Sequence, residues 1–234
     1  MVKTRSHAAS DVGMSPEFHA PNGWTTGYYD RPMDEWRQLD MPWQACFEMA
    51  WDAFRAGTVP VGAAVAGPSG EVVARGRNRI LDPPGHGLAG SRLAHAEVDV
   101  LAQLSSSVRY RDHVLYSTLE PCLLCVGATL HATVGRIEYS AADPFGGGCT
   151  GTIDTVHWRR SAPTIGEPVG GWPGRISTAL QSAFWQRQID HPRAAEIIEA
   201  FGPDARTAGG RVLALSDIPV SFEKALPCLA ACIE

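Results

Sequence analysis

Two short stretches of the 234-residue chain set metal-ligating and proton-handling groups at fixed spacing: His95-Ala96-Glu97, and Pro121-Cys122-Leu123-Leu124-Cys125 some two dozen residues later. Together they supply one imidazole, two thiols and one carboxylate, enough for a catalytic zinc centre with three protein ligands and a fourth position left for water. Cys122 and Cys125 are i and i+3, so on a helix both sulfurs leave one face, one turn apart. Pro121 suits the first helical position, where its missing N–H would have no intrahelical partner. The positive end of that helix stabilises both thiolates, the form a zinc ligand needs. Glu97 follows His95 by two residues, which turns it round the helix and places it beside the metal's water rather than on the metal. A carboxylate there can take a proton from water and hand it to a leaving amine.

The pattern H-x-E followed by P-C-x-x-C resembles the signature of the cytidine deaminase superfamily of zinc deaminases. The resemblance implies Zn2+ as cofactor, His95, Cys122 and Cys125 as its ligands, and Glu97 as catalytic proton shuttle. It extends beyond the motif. Pro60-Val61-Gly62-Ala63-Ala64-Val65, Gly76-Arg77-Asn78-Arg79, Tyr116-Ser117-Thr118-Leu119-Glu120, Gly127-Ala128-Thr129-Leu130-His131 and Gly135-Arg136-Ile137-Glu138-Tyr139 are similar to blocks of the adenosine- and guanine-deaminating branch, in order. The similarity spans residues 40–155 and thins on either side. In that family an asparagine at the place of Asn78 hydrogen-bonds the base edge, and an amide by itself offers a donor and an acceptor to a heterocycle. Asn78, Ala96, Asp143 and Phe145 are the candidate substrate contacts: Asp143 to fix a loop or receive a substrate N–H, Phe145 to line or stack on the ring. A homodimer is implied by the family alone.

The elements that must position these groups follow from the apolar pattern. Residues 41–56 read as a helix with Cys46, Phe47, Ala50, Trp51 and Phe54 on one stripe. Residues 61–66 form a continuous apolar run, hence a buried strand, turned by Pro68-Ser69-Gly70 into an antiparallel partner over 71–77. A Gly- and Pro-rich loop over 80–92 forms a rim or lid, with His86 solvated on it. A zinc helix over 94–106 buries Ala94, Val98, Leu101 and Leu104. Strands at 114–118 and 136–140 flank a second zinc helix that runs to residue 132, with Glu120 capping it and His131 structural. The expected architecture is a three-layer α/β/α sandwich around a central mixed five-stranded sheet, with both zinc helices on one side.

Outside this core the sequence is less legible. Residues 1–40 are expected to be a loose arm, its end pinned by Trp24, Tyr28, Tyr29 and Trp36. Residues 41–160 form the zinc deaminase core, and 161–234 an extension packed on the core or on a partner subunit. Within it, 164–169 reads as a strand, 170–174 as a turn, 175–188 and 191–201 as helices, 204–210 as a loop and 220–233 as a closing helix. Such a tail is expected to close the pocket and to set specificity. The six cysteines do not read as a disulfide framework: Cys46 falls on the 41–56 helix, Cys149 in a Gly-rich loop, and Cys228 and Cys232 read as small buried core residues.

Composition narrows the function. With 44% hydrophobic residues the chain can bury one good core. No apolar run is long enough for a membrane span, and the first forty residues lack a signal-peptide core, so a cytoplasmic location is expected. Net charge is −5 and no segment is strongly basic, whereas a protein that holds folded RNA advertises a basic patch. The favoured reading is hydrolytic deamination of a small amino-heterocycle, a free nucleobase, nucleoside or relative. The alternatives are a tRNA adenosine deaminase and a non-catalytic structural zinc module, which would have no use for Glu97. A thiol redox role for Cys122 and Cys125 leaves both His95 and Glu97 idle.

Overall fold

The structure is a computed structural model that describes residues 26–151, 154–215 and 221–234. Its elements in chain order are α1 (Thr26–Gln38), α2 (Met41–Arg55), β1 (Gly62–Ala66), β2 (Val72–Arg77), α3 (Ala96–Leu101), β3 (Val114–Ser117), α4 (Leu123–His131), β4 (Arg136–Tyr139), α5 (Val156–Ser161), β5 (Thr164–Ile165), α6 (Gly171–Arg187), α7 (Ala194–Leu213) and α8 (Phe222–Ile233). The strands form one mixed sheet in the order β2-β1-β3-β4-β5. β1 pairs antiparallel with β2 and with β3, while β3, β4 and β5 run parallel.

β1 is buried along its whole length, as its unbroken apolar run requires. Its alternate residues serve opposite layers. Ala63 and Val65 join Val100, Leu115, Val126 and Ile137 beneath α3 and α4, whereas Ala64 meets Ala45 and Cys46 of α2. The expected three-layer α/β/α sandwich is therefore the observed one, with α3 and α4 on the same side. Gly62 makes the α2 layer this close: a Cβ there would lie 2.0 Å from the Cys46 carbonyl oxygen.

A second apolar cluster lies beyond α2. Phe47, Trp51 and Phe54 pack against Ile176 and Leu180 of α6 and against Phe222, Leu226 and Leu229 of α8. Phe222 sits at its centre, stacked on Phe47 with ring centroids 5.3 Å apart and tilted against Trp36 at 5.0 Å. The C-terminal helices thus share the α2 face. Residues 26–38, expected to be part of a loose arm, are helical, and Trp36 is buried in this cluster. Trp24 and the side chains of Tyr28 and Tyr29 lie outside what is described.

Several boundaries differ from the sequence reading for identifiable reasons. The helix expected over 94–106 is only α3, and its buried face is Ala96, Glu97, Val100 and Leu101; Val98 is not part of it. The segment 204–210, expected to be a loop, lies within α7, which is kinked at Gly202 (φ 86°) and Pro203. Its alanines and glycines form a packing face rather than a flexible connection: a Cβ on Gly209 would come within 2.7 Å of the Ala183 nitrogen in α6. α6 begins at Gly171, inside the expected turn. β5 ends at Ile165, but Gly166, Val169 and Gly170 still donate to the carbonyls of Ile137, Tyr139 and Ser140, so the expected strand persists as irregular pairing. α5 has no buried residue and no apolar signal in the sequence.

If the C-terminal helices are part of the core, Phe222→Ala should lower stability by about 3–5 kcal/mol, as for other buried aromatic truncations. Thermal unfolding checks this: a single transition at lower temperature is expected. An unchanged main transition would mean that the C-terminal helices do not contribute to the core.

Candidate active site

The first ligand-type residue ends a loop that is braced rather than free. Arg79 N–H donates to the Ala94 carbonyl at 2.8 Å, and the Arg79 carbonyl accepts from Asp82 and Gly90. Arg77 grips the Asp82 carboxylate with two nitrogens at 3.0 and 2.8 Å, and Arg79 adds a third contact at 3.2 Å. Burial raises the Asp82 pKa, but the two guanidinium groups outweigh it and hold the carboxyl below its ordinary value. The loop therefore delivers His95, in extended conformation, to the N-cap of α3. His86 stays exposed on it, as expected.

The second stretch also ends at a helix start. Pro121 precedes the helix rather than opening it, Cys122 is the N-cap of α4 with φ −72° and ψ 171°, and Cys125 lies on the first turn. This brings the donors of three residues together. The Cys122 and Cys125 sulfurs are 3.6 Å apart, and His95 Nδ1 is 3.7 Å from the first and 3.6 Å from the second. A tetrahedral zinc with Zn–S near 2.3 Å and Zn–N of 2.0–2.1 Å has ligand–ligand edges of about 3.5–3.8 Å, so the donor set fits that ion. Among the described residues this is the group of three that could hold a metal.

The electrostatics are those of a crowded donor set. The Cys122 thiol is held down to about 4, first by the hydrogen bond from Cys125 and then by His95, while Cys125 is pushed up by the same contact and by burial. The hydrogen bond to Cys122 raises His95. Glu97 is 4% exposed, and burial raises its carboxyl pKa. Its Oε1 accepts from Ser117 Oγ at 2.8 Å, and Cys125 Sγ lies 3.2 Å from its Oε2. One oxygen is thus fixed by the sheet and the other faces the donor set.

A cavity of about 640 Å³ opens onto His95, Glu97 and Cys122. Asn78 lines it, 3% exposed, with Oδ1 accepting from Thr58 Oγ1 at 2.9 Å and from Ile80 N–H at 3.1 Å. Thr58 also accepts from Leu81 N–H, so its own proton must go to Asn78. The Nδ2 group is then the side of the amide left for a ligand. Asp143 and Phe145 also line the cavity, but Asp143 Oδ1 is occupied by the N–H groups of Phe145 and Gly146, a turn-forming role. Ala96 is fully buried in the core cluster beneath the sheet-facing side of α3.

Glu120 does not cap α4, as the sequence suggested. Its carboxylate receives N–H groups of Asp143 and Cys149 at 3.1 and 3.0 Å and so latches the glycine-rich loop beside the site. Gly148 lets that loop cross the start of α4: a Cβ there would lie 2.4 Å from the Leu123 nitrogen. The sequence reading also missed the residues of the opposite wall, Phe184, Trp185, Gln188, Ile197 and Phe201 among them, which come from α6, α7 and their connection. Their apolar character marked them as helix faces, with nothing to show which cavity they would line.

Comparison with known proteins gives the arrangement a family. Residues 37–141 match the model of the cytidine and deoxycytidylate deaminase zinc-binding region. The tRNA-specific adenosine deaminase of Bacillus subtilis is 35% identical over 142 residues, covering 59% of this chain and 83% of that one. The chain belongs to the cytidine deaminase superfamily. The tRNA(Ile)-lysidine synthase of Deinococcus radiodurans is 33% identical over 150 residues, 62% of this chain, and the match spans only 25% of that longer relative. A solved structure of guanine deaminase from Nitrosomonas europaea aligns with 74% of this chain and 98% of its own at 19% identity and a TM-score of 0.47.

For this zinc-binding deaminase fold, Cys125→Ser should lose more metal affinity than the ~10–100-fold that changes around a ligand shell cost. Zinc content after dialysis against a competing chelator reads this directly. The wild-type chain is expected to keep its metal and the variant to lose it; equal retention would remove Cys125 from the ligand set.

Proposed function

We propose that the chain hydrolytically deaminates a small amino-substituted N-heterocycle, taken as a free base or nucleoside, exchanging the exocyclic amine for a carbonyl and releasing ammonia. The observation that carries this reading is the wall that α6 and α7 add to the cavity. These helices lie beyond the matched family region, and with Phe145 and Leu119 they make a mostly apolar cleft of a size suited to small ligands.

His95, Cys122 and Cys125 would hold a zinc ion, which would supply the Lewis acidity for making water nucleophilic near neutral pH. Glu97 is the proton carrier. Ser117 anchors its Oε1, which leaves Oε2 to take the proton of the attacking water and return it to the departing amine. Burial raises its carboxyl pKa above the ordinary value. Asn78 holds the ring by donating from Nδ2 to a heterocycle acceptor, and the apolar wall shields the reacting carbon from bulk water. A purely structural zinc module would gain nothing from a buried carboxylate beside its thiols, whose desolvation is costly.

The second reading is deamination of adenosine in a transfer RNA, favoured by the likeness to the Bacillus subtilis relative of that name. The net charge of −5 argues against a polyanion. A homodimer is part of the proposal, supported by the exposed Leu123 and Leu124 on the first turn of α4.

Ammonia release by the zinc-loaded protein tests the reading on guanine, adenine, cytosine, their nucleosides and a tRNA anticodon stem-loop. One base or nucleoside is expected to turn over, and Glu97→Gln, still folded and zinc-loaded, to lose about 10²–10⁴-fold or more in kcat. Turnover of the stem-loop alone would establish the second reading, and turnover of nothing would sink both.

A further inference from the structure

The C-terminal half of the cavity contains one buried polar side chain with an incomplete set of partners. Gln181, on α6, is 2% exposed and lines the cavity. Its Nε2 donates to the Pro60 carbonyl at 3.4 Å. A proline carbonyl can only accept, so the amide cannot be flipped: the nitrogen faces Pro60 and Oε1 faces away from it. Among the described residues nothing donates to that Oε1. A buried carbonyl oxygen without a donor is costly, and native structures rarely leave one so.

Its position relates it to Asn78. The carbonyl of Pro60 holds Gln181, and the carbonyl of the next residue, Val61, accepts the backbone N–H of Asn78 at 2.9 Å. Two consecutive peptide units just before β1 therefore hold the side-chain amide of Gln181 and the backbone of Asn78, and both residues line the cavity. Asn78 has its oxygen occupied and its Nδ2 left over; Gln181 has its nitrogen engaged and its oxygen left over. One presents a donor and the other an acceptor, each locked by protein contacts.

We propose that Gln181 is a specificity-determining residue whose Oε1 accepts a ring N–H of the substrate, while Asn78 donates to a neighbouring ring acceptor. The ligand class is then an amino-heterocycle with an unsubstituted ring N–H: the free base rather than a form alkylated or glycosylated at that nitrogen. This rests on the deaminase reading above for which carbon reacts, but not for whether the ring binds. Gln181 lies outside residues 37–141, so the discrimination belongs to this chain's added helices rather than to the zinc motif.

The test is equilibrium binding, which does not require turnover. Zinc-loaded Glu97→Gln protein is titrated calorimetrically with guanine, adenine and cytosine, and with each of their ring N-methylated derivatives. At least one base should bind about tenfold or more tightly than its derivative methylated at one particular ring nitrogen, the effect of one buried hydrogen bond. Adding Gln181→Met, close in volume and without an acceptor, should abolish that preference by weakening the free base and not the methylated one. Melting temperature and zinc content verify that the variant is intact. The proposal is overturned if no free base binds, if no ring N-methylation weakens binding, or if an intact Gln181→Met protein keeps the same preference. Binding with the predicted preference but no turnover by the wild-type protein would leave this proposal standing and defeat the deaminase reading.

Discussion

Two thiols and an imidazole packed within 4.8 Å of one another are the constraint around which the fold is arranged. Such a group is electrostatically crowded, and it becomes favourable when a soft divalent cation takes the charge of the sulfurs. The chain meets the constraint by ending two connections at helix starts, His95 before α3 and Cys122 before α4. Both helices lie on one face of the same sheet. The parallel pair β3 and β4 sets the place of α4, and the antiparallel pair β1 and β2 carries Asn78 to the neighbouring wall.

Secondary contacts hold the arrangement. The Arg77–Asp82–Arg79 group closes the loop that leads to His95, and Glu120 latches the loop that crosses Cys122. Close backbone approach at Gly62 and Gly148 leaves no room for a side chain, so layer spacing and loop path are fixed by sterics as well as by hydrogen bonds. The remaining wall comes from α6 and α7, anchored to α2 through the aromatic cluster around Phe222. The cavity is thus framed by two parts of one chain: a metal-binding face of short-range motifs and a helical wall brought in from the C-terminal third.

The difference between those parts explains what the sequence made legible. Metal ligation needs particular residue types at short spacing, so His95, Glu97, Cys122 and Cys125 are readable as a group; β1 is readable because burial on both faces leaves an unbroken apolar run, and β3 and β4 because buried residues alternate with more exposed ones. Pro121 and Ala96 were harder. Whether a residue lies just outside a helix or on its inner face depends on the turn of the chain at the cap, which residue type alone does not specify. Residues 204–210 read as a loop because the Gly209-Gly210 pair signals flexibility and close helix packing alike. Gln181 gave no signal, since its partner Pro60 is 121 residues away and only the folded cavity shows which of its atoms is left over.

The most direct measurement is zinc K-edge X-ray absorption on the metal-loaded protein. The account predicts two sulfur scatterers at about 2.3 Å and two nitrogen or oxygen scatterers at about 2.0–2.1 Å, the imidazole and one exchangeable position. A shell of four protein ligands with no exchangeable position would instead mean a closed structural site, and a shell without sulfur would contradict the placement of the metal altogether.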